Sequence, residues 1–462
     1  MGLALVAVIL ALFTQLRPIA DDYCFSAKAG PGVLPGIRFW FDEWMGDITS
    51  NTLNTIVVGL PIIHLPWPLA SWISRVAVAV AIFLLAMMLL RYALAPGRRA
   101  VGWGTTLLVG TVALLAWWTY WWTRTTLLPI SFEADITEDS PAPTLLKALY
   151  EISALWVTHS SNINAQYIFA ICIGLLLVVV ALSSFHAHPT RSIVILVASG
   201  IFIGFSGPVM AVSYIVGATI VIGWLTIRRR TTSVTALAYI SFVLPLLAAA
   251  YISNQSPGTR QRQAMMLSNP DYSSITLSEG LADPLFILQW TFPRAFIEWG
   301  SALANIGTVS VLALTIPAGF LVHRAYATVN TTRLMTIGLQ LIGFSLVISI
   351  VNRASEVFSY VGIWHQIYAT TVLFFGIVLV GLATGQALAG SVHPKRAQVA
   401  VAALSLLGIA LLAIGLSSML TSVSERSVAW EAGPAPLPRI PDIESLTGCW
   451  AELGEYRQLP SR

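Results

Sequence analysis

The sequence predicts an all-α fold, a polytopic bundle of about eleven transmembrane helices, and three observations predict it. The 462 residues are 56% hydrophobic and only 10% charged, with a mean hydropathy of +0.77. No soluble domain needs that much apolar surface. Apolar runs of membrane length recur along the chain. The short loops between alternate runs are basic and hold no acid.

In order, the runs fall near 2–16, 72–93, 101–122, 165–185, 192–206, 208–226, 233–252, 301–322, 334–351, 367–389 and 398–420. The first is short: its residues rise only about 22 Å, against a hydrocarbon core of ~30 Å. A start further upstream or shielding by other helices would account for this. A cleaved signal peptide is disfavoured, because there is no basic leader and no clear cleavage site. Ser206-Gly207-Pro208 leaves little room for a loop, so 192–206 and 208–226 read either as two spans or as one long broken segment.

Charge sets the expected orientation. Loops at Arg91–Arg99, Arg191, Arg228–Arg230, Arg324–Arg333 and Lys395–Arg396 hold eleven of the 25 Lys and Arg and none of the 21 acids. The remaining basic residues and every acid fall on the other side. Basic short loops mark the cytoplasm, so the N-terminus is expected inside and the C-terminus outside. The net +4 is then a topology signal and does not imply a nucleic-acid partner; none is expected.

Three external segments, 17–71, 123–164 and 253–300, and a tail at 421–462 are expected around a transmembrane domain of residues 1–420. The first should contain an amphipathic helix. Ile37, Trp40, Phe41, Trp44, Met45, Ile48, Leu53, Ile56, Val57 and Leu60 follow a 3.6-residue rhythm, with Arg38, Asp42, Glu43, Asp47, Asn51 and Asn54 on the other face. Such a helix lies in the interface plane, apolar face toward lipid; plain packing is the alternative. Trp117, Trp118, Trp121 and Trp122 at the outer end of the third run read as interfacial anchors, with sugar stacking the other role open to one of them. The tail has prolines at 434, 436, 438 and 441 and reads as an extended strip. Cys24 and Cys449 both fall outside, where a disulfide is allowed, and no cysteine spacing suggests a metal.

Candidate chemistry starts at Asp21-Asp22, adjacent carboxylates at the mouth of the first helix, followed by Tyr23. Charge near hydrocarbon is costly and kept mainly for function. One carboxylate suits a general base, and a second can hold a metal or a substrate hydroxyl. A solvated pair capping the helix end is the alternative. After the seventh run, Ser256-Pro257-Gly258 reads as a turn leading to Arg260 and Arg262, whose forked donors suit phosphate. Arg294, Arg353 and His365 fall near outer helix ends; contact with lipid headgroups is the alternative for any one of them.

Ala20-Asp21-Asp22-Tyr23 after the first helix, the amphipathic first external segment and the Ser256-Pro257-Gly258-x-x-x-Arg262 loop together resemble the GT-C superfamily of membrane glycosyltransferases. The resemblance is to a bacterial branch carrying an Ala-Asp-Asp-Tyr signature. It implies transfer of a sugar from a polyprenyl-phosphate donor to a cell-envelope glycan or lipid acceptor, at the outer face of the bacterial cytoplasmic membrane. It implies Asp21 or Asp22 as base, and Arg260 or Arg262 with Arg353 and His365 near the donor phosphate. Tyr23 and Trp44 would contact substrate. Arg426 and Trp430 match an Arg-x-x-x-Trp that often follows the last helix. Two positions depart from the pattern: Asp47 stands where relatives have the Arg of Trp-x-Gly-Arg, and Thr259 where they have the Asn of Pro-Gly-Asn. No cofactor is required by this chemistry unless a diphosphate donor recruits Mg or Mn. A flippase of lipid-linked sugars and a polysaccharide polymerase or ligase are the alternative functions.

Overall fold

The computed structural model of the protein describes residues 2–12, 32–44, 46–93, 103–127, 164–185, 187–267, 284–325, 331–357, 366–391 and 393–431. Among these the chain is helical, with no strand. The helices begin with α1 (Gly2–Leu12), α2 (Val33–Phe39, running into a π-helical turn at Trp40–Trp44) and α3 (Ile48–Asn54, continued by Thr55–Gly59 and Leu60–His64). Next come α4 (Trp67–Ala93), α5 (Trp103–Leu127) and α6 (Ala170–Ser184, entered through a π-helical turn at Asn164–Phe169). They are followed by α7 (Pro189–Gly204), α8 (Pro208–Ile227), α9 (Ser233–Asn254), α10 (Pro257–Leu267) and α11 (Pro284–Leu303). The last four are α12 (Ile306–Ala325), α13 (Thr331–Val357), α14 (Gln366–Ala389) and α15 (Pro394–Glu431).

Eight of these, α4, α6, α8, α9 and α12 to α15, are long and apolar enough to cross a membrane. The other three expected spans are also helices. However, α1 has 11 residues, α7 has 16, and α5 is diluted by threonine and tryptophan. Among the described residues, length and apolarity thus mark eight candidate membrane spans, against about eleven expected. The 38-residue α15 also carries through the expected boundary at residue 420 as far as Glu431.

Gly207 resolves the ambiguous pair. Its φ of 124° is open to glycine and strained for other residues. It turns the chain back, so that α7 and α8 run antiparallel. Gly200 and Gly204 of α7 back in order onto Phe242 and Leu246 of α9. On α8 the order is reversed: the Tyr214 ring lies 6.1 Å from that of Phe242, and Thr219 Oγ1 lies 3.0 Å from the Tyr239 hydroxyl.

The core is built around α14, where every residue from Gln366 to Leu379 is buried. A helix apolar on all sides belongs in such a position. Small residues let its neighbours approach backbone to backbone. A Cβ on Gly319 of α12 would collide with the Leu382 carbonyl, and one on Gly385 with the Ile316 carbonyl. On the α13 side, Gly376 and Gly338 face each other, and a Cβ on either would stand about 3 Å from the other's carbonyl oxygen (2.9 and 3.0 Å).

The tryptophans of α5 are not an interfacial belt. Trp117, Trp118, Trp121 and Trp122 are all buried, and the Trp117 ring meets that of Phe374 edge-on at 5.0 Å. Helices α4, α12 and α15 pack around α5, so its aromatic end becomes core. Burial also removes sugar stacking as a role for them.

The basic loops gather at one end of the bundle. There the guanidinium of Arg91 lies 5.0 Å from the Trp103 ring centre, and that of Arg333 5.3 Å from the Tyr92 ring centre. Arg228 covers Trp224 and Arg324 covers Phe320 in the same manner.

At the opposite end, the first external segment departs from expectation. It is helical, but broken at Gly46-Asp47 into α2 and α3. In α3 the polar face turns inward: Asn51 and Asn54 are buried, whereas Ile56 is 47% exposed. Trp40 and Val57 of the apolar face are buried as well, so both faces of the segment contribute to protein contacts. In a membrane the apolar face can meet lipid, so the polar face is the one that needs protein partners.

Candidate functional site

The break at Gly46-Asp47 has a cause. A Cβ at Gly46 would collide with the Ser253 carbonyl, so only glycine lets α9 come this close. The Gly46 backbone N–H donates to Thr259 Oγ1 at 2.9 Å, and Ser253 Oγ donates to Asp47 Oδ1 at 3.3 Å. Asp47 is 4% exposed, and its Oδ2 stands 3.2 Å from where a Cβ on Gly207 would sit. One turn on, the Thr49 N–H donates to the Phe205 carbonyl at 3.0 Å and Ser50 Oγ to the Ser206 carbonyl at 2.9 Å. The Tyr368 hydroxyl of α14 donates to that same Ser206 carbonyl at 3.3 Å. Residues 46–50, 205–207 and 253–259, far apart in sequence, thus form one hydrogen-bonded junction.

Ser256-Pro257-Gly258 opens α10 rather than a free loop. Ser256 Oγ accepts from the Thr259 N–H at 3.2 Å, and the Ser256 carbonyl accepts from the Arg260 N–H at 3.1 Å. Serine at the N-cap with proline at the first helical position is a helix-start signal that was open to sequence reading. Helix α10 packs on the Trp40–Trp44 turn. Arg260 and Arg262 therefore stand on a short helix docked against the first external segment. Positions two apart lie on opposite sides of a helix, so the two are not a side-by-side pair. The Arg260 side chain is exposed and donates to Gln255 Oε1. The Arg262 side chain lies outside the described residues.

Arg353 has a partner that the sequence reading missed. Its Nη2 is ion-paired with Glu298 Oε1 of α11, a carboxylate only 2% exposed. Its guanidinium is therefore held on one side by a buried carboxylate. Glu298 falls within the segment expected to be an external loop. The helical spacing of Leu285, Leu288, Phe292 and Phe296, exposed on one face with Thr291 and Glu298 buried on the other, was the signal available.

Asp21, Asp22, Tyr23 and His365 lie outside the described residues, as do Cys24, Cys449 and the side chains of Trp44, Arg426 and Trp430. Among the described residues no group of three His, Cys, Asp or Glu could hold a metal ion. Compared with family models, curated proteins and solved structures, the chain gives no match.

Proposed function

We propose that the protein is a membrane glycosyltransferase of GT-C type, moving a sugar from a polyprenyl-phosphate donor to a cell-envelope glycan or lipid acceptor. The supporting observation is the junction between the first external segment and the Ser253–Leu267 stretch. The expected base belongs to the first stretch and the expected phosphate ligands to the second, and the Gly46 backbone N–H donates to the Thr259 hydroxyl at 2.9 Å.

In this reading Asp21 or Asp22 takes the proton of an acceptor hydroxyl. The oxygen attacks the anomeric carbon from the face opposite the phosphate, with inversion. The carbon–oxygen bond to phosphate breaks and its electron pair leaves with polyprenyl phosphate. Arg260 on α10 meets the charge that develops there, the main electrostatic demand of the step. Arg262 is the alternative for that role. The site would face outward at a bacterial cytoplasmic membrane, with no metal needed for a monophosphate donor.

The test is transfer by the purified protein from a polyprenyl-phosphate sugar, with Asp21→Asn and Asp22→Asn compared with the unaltered chain. One of the two should fold and lose activity by about 100-fold or more. Full activity in both sinks the assignment. Mass spectrometry of envelope glycans with and without the gene should show one missing sugar. Loss of an entire preformed chain would favour a polymerase or ligase.

A further inference from the structure

We propose that Glu298 is a positioning residue, holding the Arg353 guanidinium in place for a phosphate oxygen of the lipid-linked donor. The inference rests on the transferase reading and adds a residue to its site.

The argument begins with the two faces of α11. Leu285, Leu288, Phe292 and Phe296 are exposed, and seven residues apart on the other side Thr291 and Glu298 are buried. Holding α11 to α13 does not require charge. Trp299 Nε1 already donates to Ser345 Oγ at 2.9 Å. A buried ion pair adds little stability over a well-packed apolar contact, and ionisable groups inside a membrane domain are expensive. The Glu298–Arg353 pair therefore calls for a task beyond adhesion.

The surroundings of the pair say what kind of task. Ser345, Ser349 and Asn352 form one stripe of α13 at helical spacing, and Ser349 Oγ lies 3.4 Å from Gln366 Nε2 of α14. Asn352, the residue before Arg353, is fully buried, and neither of its amide atoms has a partner among the described residues. The Thr291 hydroxyl is likewise buried without one. Unmet buried polar atoms call for an occupant. Amide and hydroxyl groups on the two helices that the Glu298–Arg353 pair joins suit an oxyanion. A carboxylate bonded to one nitrogen sets the plane and direction of the guanidinium fork, on which recognition of phosphate depends.

The experiment measures binding of farnesyl phosphate and of neutral farnesol to the full-length protein in lipid nanodiscs. Glu298→Gln should weaken farnesyl phosphate at least tenfold and leave farnesol unchanged. Glu298→Asp, which keeps the charge but shortens its reach, should lie between. Because Glu298→Gln leaves a buried charge unpaired and endangers folding, the double variant E298Q/R353Q is also measured. It should recover the melting temperature and still lack the phosphate preference. A folded double variant with unaltered farnesyl phosphate affinity, or equal losses for both ligands, overturns the proposal. If Arg260→Ala weakens farnesyl phosphate and Glu298→Gln does not, the transferase reading survives and the positioning role fails. If the unaltered protein shows no preference for the phosphate, the transferase reading itself fails.

Discussion

The two ends of the bundle are held together by different physics. At the arginine-rich end, cations lie over the exposed or half-buried rings of Trp103, Tyr92 and Trp224 and at the buried ring of Phe320. Three of these contacts join residues within twelve positions of each other, and the fourth brings Arg333 of α13 onto Tyr92 of α4. At the other end, Gly46, Asp47, Ser50, Ser206, Ser253 and Thr259 are hydrogen-bonded across up to 213 residues of sequence, and most are buried. Contacts that sit in water and lipid headgroups tolerate change. Contacts that replace water inside a membrane domain do not, because each broken bond strands a polar group.

Substitution should expose this difference, and the largest effect is expected at Gly207. Gly207→Val meets both a φ of 124° and the Asp47 carboxylate. It should cost about 3 kcal/mol or more, adding backbone strain to overpacking. The measurement is the thermal unfolding midpoint followed by size-exclusion chromatography, and an unchanged midpoint would mean that the junction is soft. Next is Ser253→Ala, which removes a hydroxyl donor to the Asp47 carboxylate, 4% exposed. A loss of roughly 1.5–3 kcal/mol follows from losing a hydrogen bond to a charged group. The smallest effect is expected at the arginine-rich end. Arg333→Gln should cost only about 0.5–1 kcal/mol. If it destabilises as much as Ser253→Ala, the contrast between the ends is wrong.

Legibility in the sequence followed the same division. The eight spans could be read because a continuous apolar run has one solution in a membrane. The basic loops were legible too, and the structure gathers them at one end. The α5 tryptophans were misread because a rim position and a core position look alike until the neighbours on every side are known. In α3 the 3.6-residue rhythm shows that two faces differ, but it does not say which polar residues, such as Asn51 and Asn54, will be buried against protein. Asp47, in the place of a family arginine, looked like a defect in the first segment and is instead a buried acceptor for Ser253. Glu298 was passed over because Pro284–Leu303 was assigned to a loop.

The sequence alone determined that this is a helical membrane protein whose short basic loops hold no acid. Those are properties of composition and spacing, governed by the transfer of residues between water and lipid. Only the tertiary structure decided which polar groups meet. The docking of residues 46–50 on 205–207 and 253–259, and the pairing of Glu298 with Arg353, depend on backbones brought together from distant parts of the chain. Hydrogen bonds and ion pairs act over a few ångströms, and no local pattern encodes which distant partner will arrive within that range.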